Sequence, residues 1–102
     1  SGEDLSGEDL SDVDLSEADL SETNLSDANL FRANLACSNL YNANLAGVNL
    51  SRAMLYKANL EGADLTGADL TWARACADTI WPAGFGPGPA SVWRRNRLLC
   101  AW

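Results

Sequence analysis

Leucine occupies every fifth position from Leu5 to Leu70, fourteen times without a break. In an α-helix each residue turns about 100°, so five residues turn about 500° and successive leucines would spiral around the rod. In a flat strand side chains alternate with period two, so an odd repeat would throw the leucines to opposite faces in turn. One solution keeps all of them in a single core: the chain turns a corner in every repeat and winds around an axis. The intervening positions are rich in Ser, Gly, Asn and Asp, which suit tight turns.

The rest of the repeat is nearly as regular. The residue before each leucine is Asp or Asn everywhere except at Met54. The residue two before it is small: Ala in eight of the fourteen, with Val13, Thr23, Ser38 and Val48 as near substitutes and Glu3 and Glu8 as outliers. Runs such as Ala63-Asp64-Leu65-Thr66-Gly67 and Ala58-Asn59-Leu60-Glu61-Gly62 resemble the A(D/N)LXX motif of the pentapeptide-repeat family, and the resemblance extends over residues 3–85. It implies an all-β fold, a right-handed quadrilateral β-helix of about four coils. Four repeats make one coil, residues i and i+20 stack, the leucine and the small residue point inward, and the other three positions face out.

That register predicts which side chains meet. Asp4, Asp9, Asp14 and Asp19 are followed twenty residues later by Asn24, Asn29, Asn34 and Asn39, and Asn can form a hydrogen-bonded ladder where stacked Asp would repel. Asp12, Arg32, Arg52 and Trp72 share a column, as do Glu17, Cys37 and Lys57. These columns predict surface ion pairs, and a cation–π contact of Trp72 over Arg52.

Both ends call for caps, because a solenoid's last coils expose core and unpaired backbone. Ala75, Ile80 and Phe85 continue the leucine register, with Ala73 and Ala83 at the small position, making seventeen units and a rod of roughly 20 Å. The segment from Asp78 to Phe85 resembles the Thr-x-(Trp/Phe)-Pro-x-Gly-Phe ending of bacterial and cyanobacterial repeats. The repeat domain is therefore placed at 1–85. Gly86-Pro87-Gly88-Pro89 breaks regular structure and opens a tail over 86–102, in which Ser91 caps a predicted short helix. The tail reads as a lid on the last coil, or as a homodimer contact through Trp93, Leu98 and Trp102. At the other end, Glu3 and Glu8 at inward positions predict a loosely ordered first coil.

The net charge is −7, unevenly spread: residues 1–30 hold ten acids and no base, while 73–102 carry a net +3. An acidic chain disfavours direct contact with nucleic acid or anionic lipid and favours basic protein partners. Cys37, Cys76 and Cys100 show no metal-like or framework spacing, so they read as reduced thiols of a soluble, cytoplasmic protein. No histidine is present to activate a Cys or Ser, and outward acids of neighbouring repeats fall on different sides, so the pattern predicts no enzyme. No cofactor or metal motif is present. Phe31, Tyr41, Tyr56 and Trp72 are the candidate outward partner contacts. The reading is a non-enzymatic structural or protein-interaction module. The family resemblance implies a second reading, a DNA mimic that binds DNA gyrase or another topoisomerase. The short rod, the end-loaded acid and the unbroken repeat oppose it.

Overall fold

The computed structural model describes residues 2–75 and 78–83. Its fold follows from one repeat in which every backbone N–H has an assigned acceptor. In the repeat 43–47, Ala43 N–H closes a turn onto the Leu40 carbonyl (3.0 Å). Asn44 N–H reaches back one coil to Thr23 (3.0 Å), and Leu45 N–H reaches forward one coil to Asp64 (2.8 Å). Gly47 N–H also reaches forward, to Thr66 (2.8 Å). The amide of Ala46 is the one left with no backbone acceptor, and the Asn44 side-chain Oδ1 takes it at 3.1 Å. A buried or half-buried N–H without a partner is costly, so each repeat needs an Asp or Asn before its leucine. Thirteen of the fourteen repeats use this bond. Met54 is the exception.

The parallel bridges stack the chain at a step of twenty residues. Asp4 pairs with Asn24, Asn24 with Asn44 and Asn44 with Asp64, and the other three sides keep the same step except at the last bridge of the fourth. The β-structure is made of single bridged residues between corners rather than of extended strands. For the description below, coil 1 is 2–21, coil 2 is 22–41, coil 3 is 42–61 and the described part of coil 4 is 62–75 and 78–82.

Each corner is a four-residue turn from a leucine to the next small residue, closed by a bond such as Glu8 N–H to Leu5 C=O (3.2 Å). Its third residue has positive φ in all fifteen repeats where that residue is described, between 57° and 75°. Positive φ confined to that position is the mark of a type II turn. Only five of the fifteen are glycine, so ten side chains sit in the left-handed region.

Leu25 through Leu60 are fully buried at five-residue intervals, and Ala28, Ala33, Ala43, Ala53 and Ala58 fill the gaps between them. The two polar substitutes at the small position are also buried. Ser38 is accommodated because its hydroxyl donates to the Leu35 carbonyl at 2.7 Å.

The structure corrects the expectations at both ends. Coil 1 is held in register: Asn24 N–H bonds to the Glu3 carbonyl at 2.8 Å and Asn29 N–H to that of Glu8 at 2.9 Å. The Glu3 and Glu8 side chains are exposed, with no coil beneath them among the described residues. At the other end the five-residue register slips. Ala75 is buried as expected, but Ile80 bridges Asn59, a step of twenty-one, and is 50% exposed. One extra residue has entered between Ala75 and Thr79. Thr79 takes the small inward place, with its hydroxyl on the Leu55 carbonyl at 2.7 Å. Trp81 packs against the core in the leucine's place, and Ala83 is exposed. Phe85, the tail over 86–102, its predicted helix, and Trp93, Leu98 and Trp102 lie outside the described residues.

Candidate interaction surface

Each side of the rod displays a grid, three outward positions wide and one row per coil. The positions are the positive-φ residue, the bridged residue, and the first residue after the leucine. On the first side, coils 2 to 4 present Glu22 and Asp64 among Asn, Ser, Ala, Gly and Thr. The second side presents Asp27 and Asp69. The fourth balances Lys57 against Glu61. The third side differs: its rows run Arg32-Asn34-Ala36, then Arg52-Met54-Tyr56, then Trp72-Arg74. It carries three cations and no acid above coil 1, whose own row is Asp12-Asp14-Ser16. The four described cations thus lie on this side or, for Lys57, at the corner beside it. Read along the chain the charge runs from acidic to basic; read around the rod it is also sided.

The sequence-predicted contacts distribute accordingly. Tyr56 and Trp72 share the third side, half-buried, with the half-buried Met54 between them. Phe31 sits at the neighbouring corner, where the Arg32 guanidinium lies 5.2 Å from its ring centre. That arginine–ring contact joins neighbours in sequence, whereas the expectation had been of one between coils. Tyr41 stands apart on the fourth side, 42% exposed. No ion pair joins Arg32, Arg52, Lys57 or Arg74 to a described carboxylate, so the expected pairs with Asp12 and Glu17 do not form. At the corners, side chains one coil apart extend into water, where such contacts gain little.

The acids are tuned by the same bond that builds the turn. The Ser6 hydroxyl, at 2.7 Å, and then its amide hold Asp4 below the ordinary carboxylate range. Thr66 does the same to Asp64 and Thr71 to Asp69, in each case chiefly through the hydroxyl. Asp occupies this position only at the two ends of each column on the first two sides, with Asn in coils 2 and 3. No two carboxylates therefore stack directly. The expected ladder forms at two steps, Asn24 Nδ2 to Asp4 Oδ1 and Asn29 Nδ2 to Asp9 Oδ1, both at 3.3 Å.

Cys37 is a free, exposed thiol. Among the described residues no group of three or more His, Cys, Asp or Glu is placed to hold a metal ion, and no helix is long and apolar enough to cross a membrane.

Known proteins with this repeat confirm the architecture. The family model for pentapeptide repeats matches residues 9–45 and 33–71 with eight copies. A pentapeptide repeat protein (Rfr23) from the cyanobacterium Cyanothece 51142 is 44% identical over 76% of this chain, with a TM-score of 0.75. One from the Arabidopsis thaliana thylakoid lumen is 32% identical over 80%, with a TM-score of 0.65. A third, from Nostoc PCC 7120, is 30% identical over 96% of this chain and 84% of its own, with a TM-score of 0.50. The chain spans 53% of the Cyanothece protein and 60% of the Arabidopsis one. No curated protein matches. The leucine period, the side-chain-capped corners and these likenesses together place the chain in the pentapeptide-repeat family, whose members fold as right-handed β-helices.

Proposed function

We propose that this chain is a non-enzymatic protein-interaction module, a right-handed rod of about four coils whose rigid sides present a partner-binding surface. The observation that supports this reading is the division of labour in the repeat. Leucine and the small residue build the core, and the side chain before leucine caps the corner. At the outward and cap positions the chain departs from its own pattern, and one side gathers Arg52, Met54, Tyr56, Trp72 and Arg74. Arg, Trp, Tyr and Met are the residue types enriched at protein–protein contacts. Rigid β-scaffolding lowers the ordering cost of such a contact.

The gyrase-directed DNA-mimic reading gains no support from this surface. A mimic needs negative charge along and around the rod, whereas the third side is basic through coils 2 to 4. The module reading is tested by affinity capture from an extract of the cells that make the protein, with the chain immobilised through either end. A protein retained by the wild type and lost on charge reversal of one side supports it. Retention of nothing that any surface variant loses refutes it.

A further inference from the structure

We propose that the third side of the rod is a docking surface for an acidic segment of a partner protein, one that carries apolar side chains among its carboxylates. The inference deepens the interaction-module reading and rests on it. Arg32 and Arg52 occupy the same column in successive coils, so their guanidinium groups start from points about 4.8 Å apart. Arg74 stands across the grid in the third row. All three are exposed, and none is paired with a described carboxylate. Positive φ at residues 32 and 52 turns both corner side chains away from the core.

Met54, Tyr56 and Trp72 lie among these cations, half-buried, and Met54 and Arg74 are bridged positions that hold no Asp or Asn cap. An arginine fork accepts a carboxylate through two donors, and the apolar patch excludes water from the contact. The other three sides and coil 1 are acidic or neutral, so the field around the rod turns an approaching acidic segment toward this side.

Charge decides against the other two occupants. A nucleic acid strand carries a charge at every nucleotide, more than three cations offset on a molecule of net charge −7, whereas a segment with apolar side chains among its carboxylates carries fewer. A second copy would bring the same −7, and its acids are dispersed over its first two sides rather than gathered in a matching row.

The test uses fluorescence anisotropy with a labelled dodecapeptide alternating Glu with Leu and Phe. A Lys-for-Glu counterpart and a single-stranded oligothymidylate serve as comparison probes. The acidic peptide should bind at low salt and weaken as salt rises. The combined variant R32Q/R52Q/R74Q should weaken it roughly tenfold, the sum of three exposed charge contacts. M54A/W72A should weaken it without altering the salt slope, and D27N/D64N on the acidic sides should leave it unchanged. Circular dichroism of each variant confirms that the β-helix persists.

Equal loss in D27N/D64N, no loss in the arginine variant, or equal affinity for the oligonucleotide would each overturn the proposal. So would a dimer of the chain alone, seen by sedimentation equilibrium and abolished in the arginine variant. A captured partner that depends on Asp64 and Asp69 rather than on the arginines would overturn this assignment and leave the module reading intact.

Discussion

Glycine at an outward corner of this β-fold should stabilise it, contrary to glycine's usual effect in sheets. Cys37 shows why. It is exposed, bonded to nothing through its thiol, and held at φ 61°. A residue with a Cβ in that region costs about 1–2 kcal/mol. Replacement by Gly removes that cost but adds roughly 0.5–1 kcal/mol of backbone entropy lost on folding. The net is about 0.5–1 kcal/mol in favour of Gly. Cys37→Ala keeps the Cβ and removes only the sulfur, so the difference between the Ala and Gly variants isolates the backbone term. Equilibrium urea unfolding followed by circular dichroism should put the Gly variant's midpoint above the Ala variant's, and thermal melts should separate them by roughly 4 °C. The converse holds at Gly47, with φ 71° and a neighbouring Asp27 carboxylate where its Cβ would stand. Gly47→Ala should destabilise by more than the Cys37 series gains. A Cys37→Ala variant as stable as the Cys37→Gly variant would refute the turn assignment at the corners.

Leu45→Ala should cost roughly 2–5 kcal/mol by leaving a cavity, and Ala43→Leu about 1–3 kcal/mol by overfilling the core, both read from denaturation midpoints. Asn49→Ala strands the Ser51 amide and hydroxyl, bonded at 3.0 and 2.6 Å, and should cost about 1–2 kcal/mol, whereas Asn49→Asp should retain both bonds. Ile80→Lys should change stability by less than about 0.5 kcal/mol, while Trp81→Ala should cost about 2 kcal/mol, because the slipped register faces Ile80 outward and Trp81 inward. Asp4, Asp9, Asp14, Asp19, Asp64 and Asp69 are all held below their ordinary value by the Ser or Thr two residues on. Their contribution is complete above the unfolded value near 3.9 and is lost as pH falls through the lower folded values. Melting temperature should therefore hold level from neutrality to about pH 4 and drop below it, and Asp64→Asn with Asp69→Asn should blunt the drop.

The leucine period carried the core because only a winding chain satisfies it, the family resemblance supplied the twenty-residue stacking, and the buried Leu25–Leu60 series repeats the period residue for residue. The preference for Asp or Asn was visible, but its cause was misplaced. A ladder between coils was expected, and the bond within each repeat proved general, because the orphaned amide can be identified only by accounting for all five. The positive-φ corners left a trace in Gly2, Gly7, Gly47, Gly62 and Gly67, diluted by ten residues with side chains. The slip before Thr79 left none, since Ile80 is as apolar as the leucine it was taken to replace. The basic side was missed because charge was summed along the chain, whereas the fold sorts residues by their remainder over twenty.

The central claim is a winding of twenty residues per coil that becomes twenty-one at the last bridge, and backbone contacts measured by NMR test it most directly. The account predicts interstrand contacts joining Asn29 to Asn49, Met54 to Arg74 and Asn59 to Ile80. Contacts from Asn59 to Thr79 would contradict the slip, and the absence of contacts twenty residues apart would contradict the fold.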